Sequence, residues 1–288
     1  MRFEPLHHEF GATVHDCALR PDMSAAEIQR LEQAVNHYSL LLLPGQDLDD
    51  DRHLALTRRF GEAEEEHVAY YSAGEVKYIG TVGNIDDRGS ALPNASPRVR
   101  YQTGNEMWHT DSSFRENPSL YSLLYAYEVP DEGGETEFAS ARTAYARLDE
   151  ATRQLLEPLV GIHDYIYSRT KVSPDAVNQS QRAHMYPVRN RLVRCNPVNG
   201  RRNFFIGSHV RDIEGWEHDR AQALLARLLA AAVRPESVCR HQWAAGDLLL
   251  WDNRCVLHRG CGYDADKCRR RLHQTRVRGR GPTLTEVL

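Results

Sequence analysis

No apolar run in this sequence is long enough to cross a membrane. The run of leucines from Leu40 to Leu43 has only four residues, whereas a helix that spans a bilayer needs about 20 apolar residues. The opening residues, MRFEPLHHEFGATV, also lack the apolar centre of a signal peptide. We therefore expect a cytoplasmic protein without a membrane partner.

Paired cysteines and an excess of basic residues are missing as well. The six cysteines are scattered over the 288 residues and form no C-x-x-C pair, which favours reduced thiols over a disulfide framework or a structural zinc site. The formal net charge of −4 argues against a nucleic-acid partner, because such proteins usually carry a basic face. No repeat, low-complexity block or linker divides the chain, and its length suits one large domain or two small ones.

Helical and strand-like segments follow one another without the regular alternation of a βαβ protein. Residues 22–38 predict a helix that begins with the capping-box pair Ser24 and Glu27, and residues 140–159 predict another. The segments SLLLLPGQ, LYSLLYAYEVP, GDLLLWDN, RCVLHRG and RRRLHQTRVRG predict strands. The expected fold class is mainly β with flanking helices, a β-sandwich or jelly roll.

One long polar segment interrupts this pattern. Residues 84–104, NIDDRGSALPNASPRVRYQTG, are rich in turn-forming residues. They fit an ordinary surface loop, and they equally fit a lid over an active site, because long irregular loops in compact domains often have that role.

The stretch GNEMWHTDSSF contains the first candidate metal ligands. His109 and Asp111 lie two residues apart, so in an extended segment both side chains point to the same side. Two imidazoles and one carboxylate suit a non-haem iron centre that leaves positions for a cosubstrate and O₂, and His258, after the apolar strand LLLWDN, is the candidate third ligand. Taken singly, these residues also fit a core histidine, a turn cap and a strand end.

A run of arginines follows His258 in the segment CRRRLHQTRVRG. If a cosubstrate such as 2-oxoglutarate chelated the metal through its keto acid end, its far carboxylate would need a buried cation. Arginine suits this role because its planar guanidinium binds a carboxylate through two hydrogen bonds and stays charged. The alternative is a basic edge strand in water.

Together these segments resemble the taurine / 2,4-dichlorophenoxyacetate dioxygenase family of Fe(II)- and 2-oxoglutarate-dependent oxygenases. The likeness is nearly full length and includes FGATVHDCAL, LLLLPGQ, HLALTRRFGE, NEMWHTDSSF, EVPDEGGETEFAS and GDLLLWDNRCVLHRG. It implies a double-stranded β-helix (jelly roll) and a single catalytic domain over residues 1–288. It also implies that His109, Asp111 and His258 bind Fe(II).

The activity implied by the resemblance is oxidation of a small organic molecule. The enzyme would hydroxylate, oxidatively cleave or desaturate its substrate while 2-oxoglutarate and O₂ are converted, with release of succinate and CO₂. Thr136 of GGET matches the family's 2-oxoglutarate-binding threonine, and Arg270 matches its 2-oxoglutarate-binding arginine. A slip of one residue in the strand would exchange Arg270 for Arg269, which is kept as the alternative.

The resemblance also indicates candidate substrate contacts. Asn105, His209 and Tyr70 lie in or near segments that line the substrate pocket of the family. Gln274 stands where sulfonate-cleaving members have an arginine, so we expect that taurine is not the substrate. Arg276 shares the strand face of Gln274 and could bind a longer anionic substrate or pair with an acid at the rim.

A different class of function uses the same ligand set. A metal-binding jelly roll without oxygenase activity, either a ligand sensor or a zinc hydrolase, would also employ two histidines and an aspartate. The presence of Thr136 and Arg270 favours the oxygenase. Because members of the family are often dimers or tetramers, we expect a homo-oligomer.

Overall fold

The strands of the protein form two facing sheets and two smaller ones. The computed structural model describes residues 1–66, 76–173, 176–177 and 179–287. In these ranges the strands are β1 (Arg2–Pro5), β2 (Ala12–His15), β3 (Leu40–Leu43), β4 (Gly80–Gly83), β5 (Tyr121–Glu128), β6 (Thr136–Ser140), β7 (Val160–His163), β8 (Val188–Arg191), β9 (Val193–Cys195), β10 (Arg202–Phe204), β11 (Val210–Ile213), β12 (Val238–His241), β13 (Leu248–Asp252), β14 (Val256–Gly260) and β15 (Arg271–Val277).

The larger sheet has seven strands in the order β1-β2-β3-β13-β5-β15-β4. Its neighbouring strands are antiparallel except for β2 and β3, which run parallel. A three-stranded sheet, β12-β6-β14, faces it, and β11-β7-β8 and the hairpin β9-β10 complete the β structure of the described residues. An isolated bridge between His109 and His258 extends the three-stranded sheet at β14.

Helices flank this β core. They are α1 (Ala25–Tyr38), α2 (Asp50–Phe60), α3 (Pro97–Gln102), α4 (Ala141–Ala146), α5 (Glu150–Leu156), α6 (Tyr165–Thr170), α7 (Gln179–His184) and α8 (His218–Ala232). None of the helices in the described ranges combines the length and the apolar character that a bilayer crossing requires.

Alternate side chains of the central strands pack on opposite faces of the seven-stranded sheet, as the two-residue period of a strand requires. Leu248 and Leu250 of β13 pack with the apolar faces of α1 and α2. Leu249 and Trp251 face the three-stranded sheet, where the rings of Trp251 and Phe138 lie 5.6 Å apart. Burial of each such side chain contributes about 1.5–3 kcal/mol to folding.

The same alternation directs polar side chains into the space between the two facing sheets. On β15, Gln274 and Arg276 share the face of Leu272, which belongs to the apolar layer between the sheets. On β5, Ser122 shares the face of Leu124. The inter-sheet layer is therefore apolar at one end and polar at the other, and the candidate site lies at the polar end.

Most predicted elements are confirmed. Helix α1 begins at Ser24, which forms the predicted capping box with Glu27, and SLLLLPGQ contains β3. The prediction of one helix over residues 140–159 is wrong, because α4 ends before Asp149, whose carboxylate caps the start of α5. Residues 84–104 are not irregular throughout, since they contain α3. This short helix lacks an apolar period that the sequence could reveal.

Asn84 joins the start of the 84–104 segment to the loop before β15. Its side chain is fully buried and donates to the carbonyl oxygens of Leu92, Ala265 and Cys268 at 3.2, 3.0 and 2.9 Å. Its Oδ1 accepts from the backbone N–H of Arg270 at 2.8 Å. A single amide therefore fixes the point at which the arginine segment enters the sheet.

We predict that Asn84→Ala lowers the free energy of unfolding by about 2–4 kcal/mol, because it leaves buried carbonyl and N–H groups without partners. Asn94→Ala is the matched control. Asn94 bonds Asp264 and Asp266 of the same loop but is exposed, so its loss should cost less than about 1 kcal/mol. Chemical denaturation measures both variants, and equal losses would contradict this account of Asn84.

Candidate active site

His109, Asp111 and His258 meet between the two facing sheets. One ligand atom from each residue lies within 4.8 Å of the other two, and all three side chains are buried. Nε2 of His109 is 3.8 Å and Nε2 of His258 is 3.6 Å from Oδ1 of Asp111. The backbone of His109 pairs with that of His258 through hydrogen bonds of 3.0 and 2.9 Å. Pairing of these two segments therefore brings residues 149 positions apart in sequence into one cluster.

The ring of His109 is oriented by its own backbone neighbourhood. Its Nδ1 lies 2.8 Å from the carbonyl oxygen of Met107, so this nitrogen carries the proton and Nε2 is left with a free lone pair. Burial, together with the nearby His258, lowers the pKa of His109 to about 3. His109 is thus a neutral imidazole at physiological pH, as a metal ligand must be.

His258 is held by packing. Its ring centroid lies 4.9 Å from that of Trp251 and 6.1 Å from that of Phe138. Its Nδ1 is buried and has no hydrogen-bond partner among the residues that the structure describes. The apolar layer between the sheets therefore sets the direction of this imidazole.

Asp111 uses its two oxygens for different purposes. Oδ1 faces the imidazoles, whereas Oδ2 accepts hydrogen bonds from Ser122 Oγ at 2.6 Å and from Gln274 Nε2 at 2.8 Å. Burial alone would raise the pKa of Asp111, but interactions with His258, His109 and Arg276 together outweigh it, and the pKa lies well below its usual value. The carboxylate is ionised and fixed in direction.

Gln274 and Arg276 continue this network away from Asp111. Oε1 of Gln274 accepts from Arg276 Nη1 at 2.9 Å, and Arg276 forms buried ion pairs with Glu66 at 2.6 Å and Glu64 at 3.1 Å. Of the two roles that the sequence left open for Arg276, the structure shows pairing with acids, although deep in the protein and not at the rim. Both side chains still line the cavity described below.

The candidate cosubstrate residues lie on another wall. Arg270 is buried, and its Nε and Nη2 donate to the carbonyl oxygen of Gly134 at 3.2 and 3.0 Å. Burial lowers its pKa to about 10, so it remains a cation at neutral pH. Thr136 begins β6, and its Oγ1 accepts from Trp243 Nε1 at 2.9 Å. Arg269 points away, is 49% exposed and pairs with Glu128 at 2.7 Å.

The remaining candidate substrate residues lie beyond His109. His209 is buried, its Nδ1 is 2.8 Å from Ser168 Oγ, and its ring meets that of His109 edge-on at 6.1 Å. Oδ1 of Asn105 accepts from Arg169 Nη2 at 3.0 Å. Tyr70 lies outside the described residues.

A cavity of about 610 Å³ connects these groups. It is lined by the three candidate ligands and also by Thr136, Arg270, Gln274, Arg276, His209 and Asn105. Part of its cover comes from the 84–104 segment, which contributes Asp87, Asn94, Arg98, Val99, Tyr101, Gln102 and Thr103. The cavity has one face toward the candidate metal ligands and room for more than one small molecule.

Comparison with known proteins identifies the family. The sequence matches the Taurine catabolism dioxygenase TauD, TfdA family over residues 2–276. The chain belongs to this family. Membership confirms the family and the class of enzyme predicted from the sequence, a 2-oxoglutarate-dependent dioxygenase.

Similar proteins include two that carry named activities. The chain is 36% identical, over 96% of its length and 94% of the relative, to an alpha-ketoglutarate-dependent 2,4-dichlorophenoxyacetate dioxygenase of Burkholderia sp. (strain RASC). It is 33% identical, with the same coverage of both chains, to an (S)-phenoxypropionate/alpha-ketoglutarate-dioxygenase of Sphingobium herbicidovorans. Among solved structures, AAD-2 in complex with Mn(II) and N-oxalylglycine superposes with a TM-score of 0.89 at 32% identity, over 99% of each chain.

Three buried charged residues in or next to this cavity could not be recognised from the sequence. Glu64 and Glu66 belong to the run EAEEEH, which predicts a solvated acidic stretch. Arg169 lies in the segment HDYIYSRT, which contains no motif that indicates a site. Burial alone makes these charges unusual. Burial of a single charged residue in a short helix or loop cannot be read from local sequence.

We predict that Gln274→Leu weakens metal affinity by about 10- to 100-fold, because the amide orients the candidate ligand Asp111 and is not itself a candidate ligand. Titration calorimetry with Mn(II) measures the change. His273→Gln is the matched control, because the neighbouring His273 side chain faces the other side of β15 and pairs with Asp50. Wild-type affinity in Gln274→Leu would contradict this role.

Proposed function

We propose that the protein is an Fe(II)-dependent oxygenase that uses 2-oxoglutarate and O₂ to hydroxylate, oxidatively cleave or desaturate a small organic molecule, with release of succinate and CO₂. One observation supports this above others. The cavity that contains the His109, Asp111 and His258 cluster also contains Arg270, a buried cation without a carboxylate within 4 Å among the described residues.

The donor set fits a divalent metal of this kind. His109 and His258 would bind it through Nε2 and Asp111 through Oδ1, and the second oxygen of Asp111 already has two donors, Ser122 and Gln274. Two imidazoles and one carboxylate on one side of an ion leave its other positions for small ligands. When bound, iron supplies the redox chemistry that activates O₂. The protein orients the ligands and keeps His109 neutral.

Arg270 and Thr136 would hold 2-oxoglutarate. The guanidinium of Arg270 is desolvated and offers its remaining N–H groups to the far carboxylate in a bidentate geometry. Trp243 occupies one lone pair of the Thr136 hydroxyl, so its hydrogen can be donated to the same carboxylate. We infer that Arg270, and not Arg269, binds 2-oxoglutarate, since Arg269 is already paired with Glu128 outside the cavity. A zinc hydrolase would have no use for an unneutralised buried arginine.

Further features follow from membership of the family. We infer that the two facing sheets are those of a double-stranded β-helix, and that residues 1–288 act as one catalytic domain with the 84–104 segment as a lid. The named relatives act on aryloxyalkanoates, and a small organic molecule of that size fits the cavity. Six unpaired cysteines support a cytoplasmic location.

We expect Arg270→Met to lower the affinity for 2-oxoglutarate by about 100-fold or more while the affinity for Mn(II) stays unchanged, because the salt bridge is lost and the metal ligands are not. Calorimetric titration of the Mn(II)-loaded protein measures both. Arg269→Met, one position away on the outer face, should bind 2-oxoglutarate as the wild type does. Equal losses in both variants, or a loss only in Arg269→Met, would refute the assignment.

A further inference from the structure

Arg169 of α6 is a buried cation that has no anionic partner among the residues described by the structure. Its relative exposure is 6%, and no carboxylate of the described residues lies within 4 Å of its guanidinium. Its Nη1 donates to the carbonyl oxygen of Tyr101 at 3.3 Å and its Nη2 to Oδ1 of Asn105 at 3.0 Å, both neutral acceptors. Its Nε is buried and has no hydrogen-bond partner among the residues that the structure describes.

Comparison with the other buried arginines shows that this is uncommon in the molecule. Arg194, Arg254 and Arg276 each pair with a carboxylate, and Arg142 caps the carboxyl end of α1 by bonding the carbonyl oxygens of residues 36 and 37. Arg169 and Arg270 remain, and both line the cavity. A desolvated guanidinium with free donors facing a cavity is arranged to receive an anion.

The position of Arg169 differs from that of Arg270. Its guanidinium carbon lies 5.2 Å from the ring centroid of Tyr165, which stacks on His209 at 5.9 Å. His209 in turn meets His109 edge-on. A row of rings thus connects Arg169 to the His109 side of the metal cluster. Arg270 instead contacts Gly134, which lies just before β6 on another wall of the cavity.

The other cations of the cavity are already engaged. Lys77 and Arg98 lie near Asp87, at 3.6 and 3.8 Å, and are 53% and 33% exposed. Arg276 is neutralised by two glutamates. The guanidinium of Arg169 packs directly against Gly104. A Cβ at position 104 would lie 2.2 Å from Arg169 Nη1, so only glycine leaves room for the guanidinium there.

We propose that Arg169 is the residue that binds the anionic group of an acidic substrate, and that the hydrocarbon part of the substrate lies between Arg169 and the metal cluster. This inference rests on the proposed function and adds a specificity-determining residue to it. Apolar lining from Ile79, Val99, Phe114 and Leu124 suits the hydrocarbon part. Carboxylates and sulfate esters share the required chemistry, a planar or trigonal set of oxygens that accepts two hydrogen bonds.

The test compares acids with neutral analogues by calorimetry on the protein loaded with Mn(II) and N-oxalylglycine, so that binding and not turnover is measured. The probes are phenoxyacetate with phenoxyacetamide, hexanoate with hexanamide, and phenyl sulfate as the second source of an anion. In the wild type we expect at least one acid to bind about 10- to 100-fold more tightly than its neutral analogue. Whether carboxylate or sulfate is preferred identifies the anion.

Variants separate substrate binding from a structural role. Arg169→Met should abolish the preference for the acid while leaving the affinity for the amide within about twofold, and Arg169→Lys should keep part of the preference. Arg100→Met, an exposed arginine of α3, is the matched control and should behave as the wild type. An equal loss of acid and amide in Arg169→Met would show that Arg169 only tethers the Tyr101–Asn105 segment, and would overturn the proposal.

The remaining outcomes are also decisive. If no acid is preferred by the wild type although N-oxalylglycine binds, the Arg169 proposal is wrong and the proposed function stands. If N-oxalylglycine does not bind to the Mn(II)-loaded protein, the proposed function fails and the Arg169 proposal fails with it.

Discussion

The carboxylate of Asp111 connects the two facing sheets of the protein. Its Oδ1 faces His258, which belongs to the three-stranded sheet, while its Oδ2 is held by Ser122 and Gln274 from the seven-stranded sheet. The bridge between His109 and His258 adds the third member of the cluster. A buried carboxylate is stable only when its oxygens are satisfied, so the geometry of the cluster depends on the correct spacing of both sheets.

The apolar layer between the sheets maintains that spacing. Trp251 and Phe138 fill it beside His258 and pack against its imidazole. The site is thus built at the boundary between an apolar and a polar half of one interior layer. The polar half contains charges that would be costly if they were not paired or matched by a ligand.

The three buried arginines of the cavity differ in whether a carboxylate neutralises them. Arg276 has two glutamates and supports Gln274, and through it Asp111. Within the described part of the chain, Arg270 and Arg169 have only neutral acceptors, and they lie on different walls of the cavity. These two cations fit the proposal that two organic anions, a cosubstrate and a substrate, bind together at one metal.

Much of this arrangement could be predicted from sequence. A period of two along the segment CRRRLHQTRVRG predicted Arg270, Gln274 and Arg276 on one face and Arg269 on the other, and the capping box predicted the start of α1. The partners of inward-facing residues could not be predicted, because Gln274 of β15 bonds Asp111, which lies in a turn far away in the sequence. Arg169 was not predicted as a cavity residue for the same reason, since the residues next to it in the sequence do not indicate the cavity that the fold forms around it.

The most direct test of the account is an anaerobic titration of the apo-protein with Fe(II) and then 2-oxoglutarate, followed by visible absorption. If the His/Asp/His cluster and Arg270 form one site, a metal-to-ligand charge-transfer band develops, and it is absent in His109→Ala at the same concentrations. Stoichiometric binding of iron without any such band on addition of 2-oxoglutarate would contradict the central claim.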